Sequence, residues 1–472
     1  MLTTEERKKR LTAGGLEEAA ADYWSRLLAE LTFPDDKTVG GLEKDAEQAK
    51  PIFAQGWEML ERLPLRSKRV PAEKTAGEAI MDGMTGLCWR FCRAHRRALY
   101  HRLTDNMSKP VRVDDLVWQG AELWPGLLPT RGELKKESER MQMDKDGREI
   151  NQGLFLSQML SDRETGTHLL LSMLRPTAEA RYRLEEFLEK GLIDLGTVLV
   201  EARGKTGYVR FNHPRYLNAE DDETLGPQEI AVDLVLLHPG LRMGVLRGEP
   251  IEHPKYNGRR VFSAGLNLTK LYRGKLPFLI YPLRHMGAEN KIFRGLVGTD
   301  YRLDEPEDTL EKPWMAVVDT FAIGGGCQWL LVVDYVIAES GAYFNLPARK
   351  EGIIPGCANM RLPRFMGERL ARQAIMFDKT FYVDSTEARA LINEVHPREG
   401  LDGAVERAVG NAVDSGMVSA GGNRKTIRLQ TEPLDLFRVY MATYVREQAF
   451  CHLSEQLTHN LEKHWRAEKR TL

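Results

Sequence analysis

Cysteine, net charge and long apolar runs are all scarce in this sequence, and each scarcity closes off a class of protein. Five cysteines among 472 residues, odd in number and unevenly spaced, do not make a disulfide framework, so a reducing, cytoplasmic location is expected. Lys plus Arg (67) nearly cancels Asp plus Glu (68), which leaves no basic excess to hold a nucleic-acid backbone. Nucleic acid is not an expected partner. No stretch of about eighteen uninterrupted apolar residues occurs, and the charged opening MLTTEERKKR has no apolar segment behind it. Neither a membrane span nor a signal peptide is expected, and internal repeats are absent as well.

What is plentiful is apolar material, 42% of residues, enough for a large core and for two or three structural units. Residues 1–192 read as an all-helical domain: Leu16 to Leu31, Gly41 to Leu63, Ala72 to Leu103, Val111 to Leu123 and Thr177 to Lys190 show helical apolar spacing opposite charged faces. Near residue 193 the pattern changes. Thr197 to Ala202 and Tyr208 to Asn212 are short apolar strands joined by Arg203-Gly204-Lys205-Thr206-Gly207, a hairpin signal. A helix from Pro227 to Leu237 and a strand from Met243 to Arg247 follow, so residues 193–395 are expected to form an α/β core, a mainly parallel sheet wrapped by helices. Asp384 to Glu387 has the form of a helix start opening Glu387 to Val395. Residues 396–472 read as helical again, apart from a Gly-rich connection from Ser415 to Asn423.

Two clusters have the look of metal sites and are read as structure. Cys88, Cys92 and His95 share one helix face but lack a fourth ligand at zinc spacing, which leaves buried packing. Asp144-Lys145-Asp146-Gly147 begins like a calcium loop, yet Gly153 stands where the bidentate glutamate is needed, so a polar connection is expected. No metal ligands are assigned.

The stretch from Trp314 to Gly356 organises the rest. An apolar β-branched run through Ala316 to Val318 breaks at Gly324 to Gly326 and resumes as the apolar segment Trp329 to Val333, giving a buried strand, a tight turn and a helix start. Such glycines let backbone approach a ligand and leave the first helical N–H groups free to meet developing negative charge. The dinucleotide fingerprint fails because Trp329 occupies the third glycine position, and the phosphate loop fails for want of a following Lys-Ser or Lys-Thr. An oxyanion hole remains, beside the plainer reading of a glycine turn that only packs helix on strand. Upstream, Val261-Phe262-Ser263-Ala264-Gly265-Leu266-Asn267-Leu268 makes a second apolar strand end with a small-small-Gly step, and Gly352 to Gly356 reads GIIPG.

Together these three segments resemble the acyl-CoA signature of the crotonase (enoyl-CoA hydratase/isomerase) superfamily. The resemblance implies a crotonase-like ββα spiral core, flanked here by the N-terminal helical domain and by C-terminal helices over 396–472 that would serve trimerisation, giving a homotrimer or homohexamer. It also implies a thioester oxygen held by the N–H groups of Leu266 and Gly325. Hydratases of that superfamily carry two glutamates, because adding water across a double bond needs paired acid and base groups. Here their positions hold Gln328 and Ala348, neither able to exchange a proton at neutral pH.

Further segments narrow the likeness: Leu217 to Asp221, His253 to Tyr256, Arg260 to Gly265, Glu351 to Gly356, and, in the helical part, Leu128 to Thr130 and Gly147 to Gly153. With Gln328 and Glu220 they are similar to a dihydroxyphenylacetyl-CoA dioxygenase family on the crotonase fold, oxygenases without metal or organic cofactor that serve glycopeptide-antibiotic biosynthesis. By that resemblance Glu220, Arg284 and Gln328 line the aryl end of the pocket beside the catalytic turns at Leu266 and Gly325. His253, Pro254, Lys255, Tyr256, Ala264, Gly265, Asn267, Leu268, Ile323, Gly324 and Gly326 contact the acyl-CoA, and Leu266 with Ile353 forms an apolar dioxygen pocket. Lys255, Arg259 and Arg260 would then meet the CoA phosphates. Dioxygen is the implied co-substrate. Two other readings stay open: another crotonase-type hydratase, isomerase or hydrolase, which Gln328 and Ala348 disfavour, and a non-catalytic acyl-CoA-binding protein.

Overall fold

The hairpin expected at Arg203 to Gly207 forms, and the main sheet grows from it in the computed structural model, which describes residues 2–33, 39–414 and 416–470. Seven strands follow one another across the sheet in chain order: β1 (Leu192–Asp194), β2 (Val198–Arg203), β3 (Thr206–Phe211), β4 (Met243–Gly248), β5 (Trp314–Val318), β6 (Tyr335–Glu339) and β7 (Glu394–His396). The first three pair antiparallel and the rest parallel, with Val209 opposite Leu246, Leu246 opposite Ala316, and Ala316 opposite Val336.

All five residues of β5 are buried, as a parallel strand covered on both faces requires. Trp314, Ala316 and Val318 face a core shared with Ala231, Leu234 and Val235 of the helix Asp222–Leu237. Met315 and Val317 face the other way, onto Leu401, Val405 and Val409 of the helix Arg398–Asp414. The helix expected from Pro227 begins at Asp222, because the Asp221 carboxylate accepts the Glu223 N–H at 2.9 Å and caps it earlier.

A smaller layer carries the glycine turns. Phe321–Ile323 runs parallel to Tyr343–Asn345, which pairs antiparallel with Phe381–Tyr382. Isolated bridges join Ser263 to Ala322 and Glu220 to Leu266.

Two expectations are corrected. Glu387 to Val395 is not an α-helix: only Glu387–Ala390 coils, as a 3₁₀ turn, and Glu394–His396 becomes the edge strand β7. Asn393 fixes this outcome by accepting the Val336 N–H at 2.8 Å, which holds the chain extended beside β6. The glycines after residue 415 do not make a connection either. Gly421 and Gly422 lie inside the helix Met417–Thr431, held by Arg424 to Glu311 (3.2 Å) and by Arg428 to Glu307 and Glu311 (both 2.6 Å). Ser415 lies outside the described residues.

The chain divides into two compact units, one of residues 173–268 and 280–440, which holds this sheet, and one of residues 1–172, 269–279 and 441–472. The second unit is helical. The five helices read from apolar spacing form within about two residues of the expected ends, four of them in this unit and Ala178–Lys190 in the sheet-bearing one. Thr4–Ala13, Arg131–Glu137, Ile150–Ser161 and Arg163–Met173 were not foreseen. Cys88 and Cys92 are buried there with their sulfurs 4.0 Å apart, and His95 bonds to Asp45 at 2.8 Å and packs on Phe91. Asp146 pairs with Arg69 at 2.6 Å, as a polar connection would. Among the described residues no helix is long and apolar enough to cross a membrane.

Candidate active site

The turn that presents Glu220 is strained and strapped. Leu217 (φ 53°) and Asn218 (φ 56°) both adopt the left-handed region, where a side chain costs on the order of 1 kcal/mol or more. Asparagine tolerates that region best among side-chain-bearing residues, and here its amide also ties three segments together. Its oxygen accepts the His213 N–H at 2.6 Å, and its nitrogen donates to Phe211 O (3.2 Å) and Val261 O (2.6 Å).

From there the Glu220 peptide bridges to the first glycine turn. Glu220 N donates to Gly265 O (2.6 Å) and Asn267 N to Glu220 O (2.8 Å). In a parallel bridge of this register the intervening Leu266 N–H points to the opposite side. A Cβ on Gly265, at φ +82°, would lie 2.7 Å from Ile323 O and 3.3 Å from Gly325 N, so the two turns touch only because this residue is glycine. Gly326 is equally constrained, its absent Cβ falling 2.8 Å from Ser263 O. Gly325 opens the helix Gly325–Leu330, where its N–H has no intrahelical acceptor. Among the described residues, neither the Leu266 nor the Gly325 N–H is bonded to another group.

Beside these donors sits a buried charged cluster with Arg284 at its centre. Arg284 Nη2 donates to Glu220 Oε1 (3.1 Å) and to Gly325 O (2.8 Å), and Nε lies 2.8 Å from Glu220 Oε2. Nη1 donates to Gln328 Oε1 and to Glu289 Oε2, both at 2.7 Å. The guanidinium also stacks 4.7 Å over the Trp329 ring, whose Nε1 donates to Glu220 Oε1 at 2.5 Å. A Cβ on Gly325 would collide with Glu220 Oε2, which shows how near that carboxylate lies to the oxyanion donor. Burial opposes charge on Arg284, but Glu220 and Glu289 outweigh it and hold the guanidinium above its ordinary value.

The structure brings Glu220, Arg284, Gln328 and Gly325 together as neighbours, with Leu266 bridged to Glu220. Because Gln328 Oε1 accepts from Arg284, its amide nitrogen turns the other way, as a donor. Ala348 is buried at the start of the turn Ala348–Glu351, and Ile353 follows, half-buried, after Gly352. That GIIPG turn reaches the cluster at Gly356, where a Cβ would collide with His285.

Of the expected CoA contacts, His253 and Tyr256 stack at 5.4 Å, and Tyr256 packs edge-on against Phe321, in the strand leading to Gly324. Tyr256, Ala264 and Ile323 join one apolar cluster. Pro254 lies on the same loop. Arg259 is committed to Glu339 at 2.5 Å, and Arg260 donates to Gly248 O at 3.1 Å and lies 3.6 Å from Glu249. Lys255, standing 5.1 Å over Tyr256, is the one of these three basic groups without a carboxylate partner among the described residues. Asn267 turns its side chain to Asp221 at 2.8 Å, and Leu268 begins the short helix Leu268–Tyr272.

Sequence reasoning missed Trp329, His285, Glu289, Arg361 and Glu432. The available signal was charge inside apolar sequence, as in the i, i+4 pair His285 and Glu289. His285, Glu289 and Cys357 bring ligand atoms within 4.8 Å of one another. Two guanidiniums, Arg284 and Arg361, already neutralise Glu289, at 2.7 and 2.6 Å, and would repel a cation there.

Residues 207–420 match the sequence pattern of the enoyl-CoA hydratase/isomerase family. A (3,5-dihydroxyphenyl)acetyl-CoA 1,2-dioxygenase of Amycolatopsis orientalis is 45% identical over 393 residues, 83% of this chain and 89% of that protein. A short-chain-enoyl-CoA hydratase of Clostridium acetobutylicum is 30% identical over 46% of this chain and 75% of its own. An enoyl-CoA hydratase structure from Mycobacterium avium subsp. paratuberculosis superposes with a TM-score of 0.46 at 20% identity, covering 57% of this chain and 99% of that one.

Proposed function

From the premise that this chain belongs to the enoyl-CoA hydratase/isomerase (crotonase) superfamily, we propose that it is a dioxygenase converting an arylacetyl-CoA, best met by 3,5-dihydroxyphenylacetyl-CoA, to the aryl glyoxylate and free CoA. The observation that carries the reading is the pairing of two unbonded turn N–H groups, at Leu266 and Gly325, with the Glu220, Arg284 and Gln328 cluster directly beside them.

A benzylic carbon between a thioester and an aromatic ring has an acidic proton. Each backbone donor aimed at the thioester oxygen contributes about 3–4 kcal/mol toward the enolate left when that proton departs. The electron-rich enolate passes electrons to dioxygen, the α-carbon peroxide closes on the thioester carbonyl, and the O–O and C–S bonds break. The two α-hydrogens are recovered on the thiol and the carboxylic acid, and the oxygen atoms divide between the new ketone and the carboxylate. The chain's own task is to bind, to exclude water and to keep the enolate oriented. Glu220 offers an acceptor and Gln328 a donor to ring hydroxyls, while Leu266 and Ile353 supply apolar walls for dioxygen. Tyr256 and Lys255 fit the CoA chain and its phosphates. Neither metal nor organic cofactor is needed in this scheme. Cytoplasmic location, a trimer or pair of trimers, and a trimerisation role for residues 396–472 belong to the same proposal.

The test is oxygen uptake with 3,5-dihydroxyphenylacetyl-CoA after exhaustive chelation. Uptake should persist and release one CoA per dioxygen, with isotopically labelled dioxygen placing one atom in the ketone and one in the carboxylate. Activity that vanishes on chelation and returns with iron or copper overturns the metal-free scheme. CoA release without oxygen uptake makes the protein a thioesterase-like relative.

A further inference from the structure

Arg284 has five N–H bonds: four donate, to Glu220, Gly325 O, Gln328 and Glu289, and Nε lies 2.8 Å from the second Glu220 oxygen. Four of those contacts are to groups the proposed reaction uses. Glu289 is the exception. It is fully buried, and it touches neither oxyanion turn nor the amide of Gln328 in any bond described above. Its two oxygens are committed to donors only. Oε2 takes Arg284 Nη1 at 2.7 Å and His285 Nδ1 at 2.5 Å, and Oε1 takes Arg361 Nη1 at 2.6 Å.

The anchoring continues outward. Arg361 presents its other two nitrogens to Glu432 at 2.9 Å each, and Glu432 is held in turn by Arg294 (3.1 Å) and Arg364 (2.7 Å). Burial works against ionising Glu289, but His285, Arg284 and Arg361 together keep it below its ordinary value, so it is a carboxylate. Burial likewise keeps His285 from charging, so its Nδ1 donates to that carboxylate as a neutral imidazole.

We propose that Glu289 is the positioning residue of the site: through Arg284 it fixes the rotamer of Gln328, and so sets how well the enzyme reads hydroxyl groups on the aryl ring. The inference rests on the function proposed above and deepens it by assigning ring specificity to a side chain that does not touch the ring. A shared Arg284 Nη1 is the physical link. When Glu289 holds one of its hydrogens, the other is aimed at Gln328 Oε1, and the Gln328 amide nitrogen is left pointing away from Arg284. An amide at position 289 cannot do the same. Its NH₂ would confront Arg284 and His285 or Arg361, donor against donor, and the guanidinium would have to turn.

Glu289→Gln is the decisive variant. A misplacement of about 1 Å in a positioning group costs on the order of 100-fold in turnover. The expected result is therefore a loss of that order in kcat/KM for 3,5-dihydroxyphenylacetyl-CoA, against less than about 5-fold for phenylacetyl-CoA, which has no hydroxyl to read. The ratio of the two substrates collapses. Anaerobic exchange of the α-proton of phenylacetyl-CoA with deuterated solvent should continue, because Leu266 and Gly325 still hold the thioester. A role confined to stability would lower both substrates alike and leave the ratio unchanged, and that outcome overturns the proposal.

If Glu289→Gln does not fold, His285→Asn decides. It frees one side of the same carboxylate while keeping every Arg pair, and a folded His285→Asn protein with unaltered discrimination overturns the proposal equally. Wild-type protein that consumes no dioxygen refutes the parent reading instead. Discrimination is then measured as the ratio of calorimetric dissociation constants for the two CoA thioesters, and the same collapse or persistence in Glu289→Gln judges Glu289 on its own.

Discussion

Gly325 is asked to be two things at once, an N–H donor and a space for its neighbour's carboxylate. Gly325→Ala would drive a methyl into Glu220 Oε2, displacing either the carboxylate or the turn. Loss of one oxyanion donor costs about 100- to 1,000-fold in kcat, and oxygen-uptake kinetics should show a fall of at least that size with little change in secondary structure by circular dichroism. Gln328→Ala acts differently. Removing a donor that meets ring hydroxyls should weaken turnover of dihydroxyphenylacetyl-CoA by roughly 10- to 100-fold and barely affect phenylacetyl-CoA; equal losses on both would mean that the side chain does not read the ring. Gln328→Glu should give no hydration of crotonyl-CoA, because Ala348 supplies no second carboxylate.

At the scale of elements, the strap from Asn218 is the most exposed to test. Asn218→Ala removes three hydrogen bonds and leaves Phe211 O and Val261 O without this donor, beside a left-handed backbone that alanine tolerates poorly. A loss of roughly 2–4 kcal/mol is expected, measurable as a lowered urea midpoint at unchanged slope. Elements of this kind were partly legible. The strands from Val198 to Phe211, β4, β5 and the glycine turns announced themselves because apolar alternation, paired glycines and a hairpin turn are local signals. The segment from Glu387 to Val395 misled because its helix-start residues are local too, whereas what decides its form is the Asn393 bond to Val336, some sixty positions away. The site was legible where backbone turns or a motif carry it, at Leu266, Gly325, Gln328 and Glu220. It was illegible at Trp329, Glu289 and Arg361, whose importance lies in which distant charge each one meets.

For the whole molecule, acid should act in two successive pH windows. In the helical unit, burial pushes His168 and His452 down to about 4 from an ordinary 6.5. The unfolded chain binds those protons first, so stability falls as pH drops from 6.5 towards 4. In the sheet-bearing unit, burial would raise Glu432, but Arg361, Arg294 and Arg364 overcome it and hold the carboxyl at about 2 against an ordinary 4.5. Its contribution, on the order of 3 kcal/mol, is intact above pH 4.5 and is lost as pH falls from there towards 2. Overall stability, measured by urea unfolding across pH, should therefore begin to fall below pH 6.5 and fall again below pH 4.5. Stability that stays level down to pH 4.5 would contradict this assignment.

The interleaving of the chain makes one operation impossible that its helical N-terminus invites, namely trimming the protein down to a minimal catalytic core. Residues 269–279 depart just after the turn at Leu266 and return just before Arg284, yet they fold with residues 1–172, and Leu271, Leu276 and Phe278 are fully buried there. Residues 441–472 do the same at the other end of the core's sequence. Cutting after Ser172 would leave an internal loop and a tail whose apolar side chains have lost their covering, and the loop is spliced between the two peptides that carry an oxyanion donor and the guanidinium. Such a shortened protein should be recovered as aggregate. Shuffling of modules could add to this enzyme only at its outer edges, because its two parts were sewn together through the catalytic sequence itself.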